Sequence, residues 1–505
     1  MRDVRVDVVV VGSGAGGGTV AQALAPLVAA GMRVLVLERG PRFADTDFDG
    51  AETAMASMLY ADGGGFLTAD GTTTLAFGRA YGGSTVVYTG TSLPAPERVI
   101  ADWAVPGLGH GDLLARTRRY VAENNVHLLP DEEINENNRL FVEGCRSAGY
   151  QAHQFPVNLR GCRGSSLCNL GCPNGAKQGT HKVQLPRAES GGVEVVTRAE
   201  VIGIEERAVR VMVGAASPGE RGAPSEWEPG GYRIRAEMVV LAAGTMGSPG
   251  LLLHSGFGAA LPRLGHGFTC HPAFILVGEH EREITNDVGH PKSFYVDRAE
   301  EEGFVLETCM YFPFVTAKNL TGMGPEHAAF MEAFPRLQMI LVLACDKATP
   351  QNRVTVDRAG KTVVYYRYTA DTVEKMVAAT RASAKIFFAA GARRVHAPPA
   401  HPTLLDRDVL AAAPGGLEAE LTRRIQARHF QPGRISVSAA HLMGGCGMGR
   451  DASDSVTDGW GRVHGHRWLR VADGSLFPDS IEINPYLTIM ALADRVAEGI
   501  REDMA

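Results

Sequence analysis

At 505 residues the chain is too long for one simple core, and 45% hydrophobic with 21% charged residues is close to the soluble globular average, so two domains with a large buried core are expected. A net charge of −6 without a Lys/Arg-rich run argues against nucleic acid and anionic membrane surfaces as partners, and no apolar stretch approaches the roughly 20 residues of a membrane span. Eight cysteines do not make a secreted disulfide framework and no signal peptide precedes the first strand, so a cytoplasmic protein is expected, unless it is exported with a partner chain.

Asp7–Val11 is a continuous apolar run, the pattern of a strand buried on both faces of a parallel sheet. The glycines of 12–18 interrupt it, and Thr19 to Ala30 has helical spacing despite Pro26. Met32–Leu37 reads as the next buried strand, ending at Glu38. Residues 41–190 mix Gly-rich loops near 62–65 and 78–90 with helical stretches near 111–124 and 138–148. Val193–Val196 and Met238–Ala242 are further strands, and the Pro/Gly/Glu-rich stretch Ala215–Gly231 reads as a surface excursion. From about 275 to 435 the pattern changes to strands (Arg353–Val356, Thr362–Tyr368) and one long helix (Asp371–Ala390), which predicts an antiparallel sheet with helices. A short strand at Trp468–Val471 and a helix over 485–501 complete the chain. The predicted class is α/β. A discontinuous Rossmann-like cofactor domain draws on 1–95, 190–275 and 436–505, and a mostly antiparallel substrate domain with cap segments draws on 96–189 and 276–435.

Gly12-Ser13-Gly14-Ala15-Gly16-Gly17 fits G-x-G-x-x-G between a strand and a helix. Gly12 permits the tight turn, Gly14 lets a pyrophosphate approach the backbone, and Gly17 lets the helix pack on the sheet. The helix N-terminus, beginning at Ala15, offers free N–H groups to phosphate. Glu38 is placed to accept from a ribose 2′-OH, which disfavours NADP but does not separate FAD from NAD.

Further motifs follow in order. They are Gly78-Arg79-Ala80-Tyr81-Gly82-Gly83-Ser84-Thr85, Ala243-Gly244-Thr245-Met246-Gly247-Ser248-Pro249, His441-Leu442-Met443-Gly444-Gly445-Cys446, Asp473-Gly474-Ser475-Leu476-Phe477-Pro478 and Asn484-Pro485-Tyr486-Leu487. With the N-terminal turn they resemble the glucose–methanol–choline (GMC) family of flavin oxidoreductases over nearly the full length. The motifs are most similar to the cholesterol oxidase and long-chain alcohol oxidase branches, which have Asn before Pro where sugar oxidases often have a second His. The resemblance implies FAD, with Gly78, Gly82, Gly83 and Ser84 along the flavin. It also implies cofactor contacts from Arg39, Val201, Ala243, Gly244, Asp473 and Gly474, and from Asn484, Pro485, Tyr486 and Leu487. Asn484 is read as the N-cap of the last helix and Pro485 as its first residue, leaving a positive dipole end for reduced flavin.

The resemblance further implies oxidation of a CH–OH group by hydride transfer to the flavin, with His441 as base and Asn484 as its partner across the substrate hydroxyl. A neutral His suits that task. A redox-neutral use of the same scaffold, as a lyase, isomerase or decarboxylase, is the alternative. Two positions depart from the family pattern. Glu482 stands where Gly is usual and reads as a salt-bridged or surface acid, or as an extra acid/base. Tyr88 stands where cholesterol oxidases carry Asn, which weakens a steroid reading. Tyr311, Phe312, Phe314 and Met339 are candidates for pocket lining or core.

Cys162, Cys168 and Cys172 crowd one loop. They are compatible with free thiols or a local disulfide, with zinc one ligand short, or with an iron–sulfur (3Fe-4S) cluster, whose spacing resembles that of FAD-dependent glucose dehydrogenase catalytic subunits. A cluster would imply electrons passed outward to a redox protein or quinone, and a small accessory subunit. Without it, flavin and oxygen suffice.

Overall fold

The computed structural model describes residues 1–284 and 286–505. Its first sheet has seven strands built around Arg2–Val11, which pairs in parallel with Val34–Leu37 on one side and Gly230–Leu241 on the other. Glu194–Val196 and Leu469–Val471 extend the parallel part, while Ala199–Glu205 and Ala208–Val213 add antiparallel strands. Val8, Val9 and Val10 are inaccessible to solvent, as the unbroken apolar run requires.

The first helix spans Ala15–Ala29 and so begins earlier than the apolar spacing indicates. Its opening glycines are dictated by close backbone approach. A Cβ on Gly16 would lie 1.7 Å from the Ala472 carbonyl oxygen, and one on Gly17 would lie 1.9 Å from that of Gly12.

The second sheet has ten strands and is almost wholly antiparallel, with Ala273–Glu279, Leu337–Ala344, Phe304–Thr308 and Phe294–Arg298 in sequence across its centre. Helix Ala370–Ala389 packs Ile386 and Phe387 against Leu306, Ile340 and Val342 on one face. Thr73–Leu75 and Val437–Ala439 pair in parallel toward one edge of this sheet, so segments read with the cofactor part contribute strands to both halves of the junction.

The hairpin Arg353–Val356/Thr362–Tyr365 does not join that sheet. It forms its own two-stranded ribbon, because Val354 and Val364 are buried against Met246 and Phe268 instead. The last helix runs from Tyr486 to Met504 and lies in contact with the first. Among the described residues no helix is long and apolar enough to cross a membrane.

Candidate active site

Val11, Leu37 and Ala242, at the C-terminal ends of three parallel strands, open onto a cavity of about 1270 Å³. The second sheet closes it from the other side with Ala273, Leu341, Leu343 and Ser438. Ligands of open α/β sheets bind at these strand ends, and the volume exceeds the usual range for one small molecule, roughly 300–1,000 Å³.

Three helix N-termini border the cavity: Ala15–Ala29, Gly244–His254 and Tyr486–Met504. None has a side-chain cap, and none carries an acid in its first turn. At Ala15 and Tyr486 the first N–H groups and dipole ends are therefore available to anionic groups, whereas Gly244 N already donates to Asp473. Gly14 adds a close backbone wall whose Cβ position has only Gly83 Cα nearby, at 3.9 Å. These features fit a dinucleotide such as FAD, with a pyrophosphate at one end and a ring system that becomes anionic at the other.

Most of the sequence-predicted contacts lie on the wall: Gly12, Gly14, Ala15, Glu38, Arg39, Gly78, Gly83, Ser84, Val201, Ala243, Gly244, Asp473, Gly474, Asn484, Pro485 and Tyr486. Three do not. Gly17 is buried against Gly12 and Ala242, Gly82 turns behind the wall with its N–H donating to Ser13 Oγ at 2.9 Å, and Leu487 packs with Tyr120 and Met490. Each belongs to a motif because of packing or turn geometry rather than contact.

Glu38 accepts from Ser13 N and Oγ (3.1 and 2.6 Å) and from Gly40 N (2.7 Å). Burial pushes its carboxyl above the ordinary range, against these hydrogen bonds. Asp473 likewise ties loops together, accepting from Ser248 Oγ (2.5 Å), Gly244 N (2.8 Å) and Ser475 N and Oγ (2.8 and 2.6 Å).

His441 and Asn484 meet at the cavity wall, with Nε2 and Nδ2 3.1 Å apart. Asn484 is not the helix cap that the sequence suggests: Pro485 takes that position, and the Asn484 amide is committed sideways. Its Nδ2 donates to Glu307 Oε1 at 3.1 Å as well. Glu307 has no exposed surface and is ion-paired to Lys292, itself 9% exposed. Turning the amide over would set its oxygen against the Glu307 carboxylate, so Nδ2 faces His441 and Nε2 must be the acceptor. The proton of neutral His441 then sits on Nδ1, 3.1 Å from Nδ1 of His271. Burial first, then Lys292, lowers the His441 pKa to about 3, so the ring is neutral at pH 7.

Lys292, Glu307 and His271 are the residues that sequence reading missed. Glu307 left a signal: it is an acid inside the apolar strand Phe304–Thr308, where an unpaired charge is prohibitive. Tyr311, Phe312 and Phe314 line the cavity, whereas Met339 is core, with its sulfur 3.4 Å from Tyr311 N. Glu482 is buried and bridged to Lys347 (2.9 Å) and Arg98. Burial raises its pKa, but the two cations outweigh this and the net shift is downward.

The three close cysteines do not form a metal site. Among the described residues no group of three or more His, Cys, Asp or Glu is arranged to hold a metal, and all eight cysteines are free thiols. The loop is shaped by other bonds. Lys177 Nζ, buried beneath it, donates to the carbonyls of Val86 (2.6 Å), Tyr88 (2.8 Å) and Cys168 (2.5 Å), and Cys162 Sγ accepts from Gly164 N at 3.4 Å. Burial pushes the Cys168 thiol up to about 12. The arrangement of these side chains gives no support to an iron–sulfur cluster.

Comparison with known proteins is consistent with this geometry. Family models described as GMC oxidoreductase match residues 56–273 and 348–493. An uncharacterized GMC-type oxidoreductase of Mycobacterium tuberculosis is 32% identical over 504 residues, covering 98% of this chain and 75% of its own length. A long-chain-alcohol oxidase of Arabidopsis thaliana is 28% identical over 546 residues, covering 99% and 68%. Among solved structures, pyridoxine 4-oxidase from Mesorbium loti superposes with a TM-score of 0.70 at 18% identity, covering 98% of this chain and 99% of that one.

Proposed function

Since the chain belongs to the GMC oxidoreductase family of flavoproteins, we propose that it oxidises an alcohol to a carbonyl compound, with His441 as the base. The observation that carries this reading is the His441–Asn484 pair at the cavity wall, with Nε2 fixed as a proton acceptor. Gly12, Gly14, Ala15 and Glu38 would hold the nucleotide end of FAD, and Gly83, Ser84, Pro485 and Tyr486 the ring system. Bound FAD supplies the two-electron acceptor that takes the hydride.

The protein's own part is binding, orientation and proton handling. The alcohol oxygen enters between the two side chains, gives its proton to His441 Nε2 and accepts from Asn484 Nδ2. Glu307 keeps the amide turned for that donation. The uncapped first turn at Tyr486 offers N–H groups to negative charge developing on the ring system.

Phe66, Phe77, Met310, Phe312 and Leu341 make much of the remaining wall apolar, and this supports a substrate with a hydrocarbon body. The names of the long-chain-alcohol oxidase relatives agree with that choice. The test is anaerobic bleaching of purified holoprotein by a panel running from ethanol to 1-dodecanol, with glucose and a sterol included. Bleaching that strengthens with chain length is expected. A flavin left oxidised by every alcohol would refute the proposal.

A further inference from the structure

Behind His441 lies a second histidine. His271 Nδ1 is 3.1 Å from His441 Nδ1, the rings are perpendicular at 5.3 Å between centroids, and His271 Nε2 is 2.7 Å from Ser480 Oγ. His271 and Ser480 are buried at 2% and 0% exposure. With the His441 proton on Nδ1, one direction of hydrogen bonding gives every nitrogen of the two rings a partner. His441 Nδ1–H donates to His271 Nδ1, and His271 Nε2–H donates to Ser480 Oγ. The polarity is set at the far end by the Lys292–Glu307 pair through Asn484.

We propose that His271 is a second proton site for the alcohol oxidation, taking the Nδ1 proton of His441 in the same step in which His441 Nε2 takes the hydroxyl proton. This rests on the reading of His441 as base. The balance is complete: the O–H bond breaks, Nε2–H forms, His441 Nδ1–H breaks, and His271 Nδ1–H forms. The hydride leaves with its electron pair to the bound flavin. His441 ends neutral and the single positive charge resides on His271.

Three observations favour a proton site over a prop. First, an Nδ1–H that needs only orientation is ordinarily held by a carbonyl or carboxylate. A neutral imidazole, unlike a carbonyl, can take the proton as well as the hydrogen bond. Second, burial lowers the pKa of both rings, that of His271 well below the ordinary value with His441 adding to the effect, but His271 has an acid, Glu482, that favours charge on it against Lys347, whereas His441 faces only Lys292. Third, His271 is held at φ +48°, a left-handed conformation that a non-glycine residue adopts at a cost. Its backbone N–H is fixed by Asp346 Oδ1 at 3.2 Å.

The test is His271→Asn holoenzyme, reduced anaerobically by 1-octanol in the stopped flow. Asn tolerates positive φ, and its oxygen can still accept from His441, but its amide cannot take a proton. A loss of at least about tenfold in the limiting reduction rate is expected, with flavin content and substrate affinity kept; removal of a full base costs about 10²–10⁴-fold. In mixtures of light and heavy water the wild-type rate should follow a bowed, two-proton curve and the variant a straight line. A variant as fast as wild type, or a straight line for wild type, overturns the proposal. The wild-type curve decides the matter even where the variant loses flavin. His441→Asn separates the two levels: if it reduces flavin normally, the base reading itself falls. If it is inactive while His271→Asn is normal, only the second site falls.

Discussion

The pH dependence of flavin reduction is the most exposed prediction. A base in water with the ordinary histidine pKa of 6.5 is only about 3% neutral at pH 5, whereas one near 3 is about 99% neutral, so the two cases differ about 30-fold in active fraction. Burial and Lys292 place His441 in the second case, at about 3. The sign is that of a cation penalised by desolvation: the neutral, competent form persists as pH falls. Activity referred to free enzyme should stay flat from pH 8 to pH 5. The assay holds holoprotein at pH 7, jumps it to the target pH on mixing with alcohol, and follows the flavin band anaerobically. The jump matters because buried neutral histidines also make the fold acid-sensitive. His181 and His441 near 3, and His290 and His396 near 4, bind protons more readily when unfolded. Each costs about 1.4 kcal/mol of stability per pH unit as pH falls from 6.5 toward its folded value. An acid limb with a midpoint between pH 6 and 7 in the initial reduction rate would refute the assignment of a buried, neutral His441.

Glu307→Gln should cost about 3–5 kcal/mol of stability, read from the urea midpoint, because it strands a buried Lys292. Replacing both partners (Lys292→Met with Glu307→Leu) should recover that stability but not the reduction rate, since nothing then turns the Asn484 amide. Gly12→Ala should fail to fold, its Cβ meeting the Ala242 oxygen at 2.3 Å with φ +102°, while Gly14→Ala should fold and lose flavin affinity, measured by released FAD. Changing Cys162, Cys168 and Cys172 together to Ser should leave the flavin spectrum and the reduction rate unaltered, and iron and acid-labile sulfide should be absent from the wild type.

Local features proved legible and distant pairings did not. The Gly12 turn, the acid at Glu38 and the uninterrupted strand of valines each follow from a few adjacent residues whose backbone demands are specific. His441 and Asn484 were legible only through resemblance, because nothing in their neighbours distinguishes them from other buried polar residues. Lys292 and Glu307 reach Asn484 through the pairing of Phe294–Arg298 with Phe304–Thr308, a register no periodicity reveals. His271 is defined by a left-handed backbone and a partner far along the chain. The cysteine spacing left free thiols, zinc and a cluster open, and could not show that Lys177 draws the loop around its own ammonium group with the thiols free.

The cavity is walled by residues 12–16 and also by 473, 474, 484–486 and 489. During synthesis the second set emerges roughly 460 residues after the first, a delay of about 20 to 90 s at 5–20 residues per second. A nascent chain thus holds its phosphate turn long before the ring pocket exists. Flavin capture is consequently deferred until the helix Tyr486–Met504, which lies in contact with the first helix, has been made.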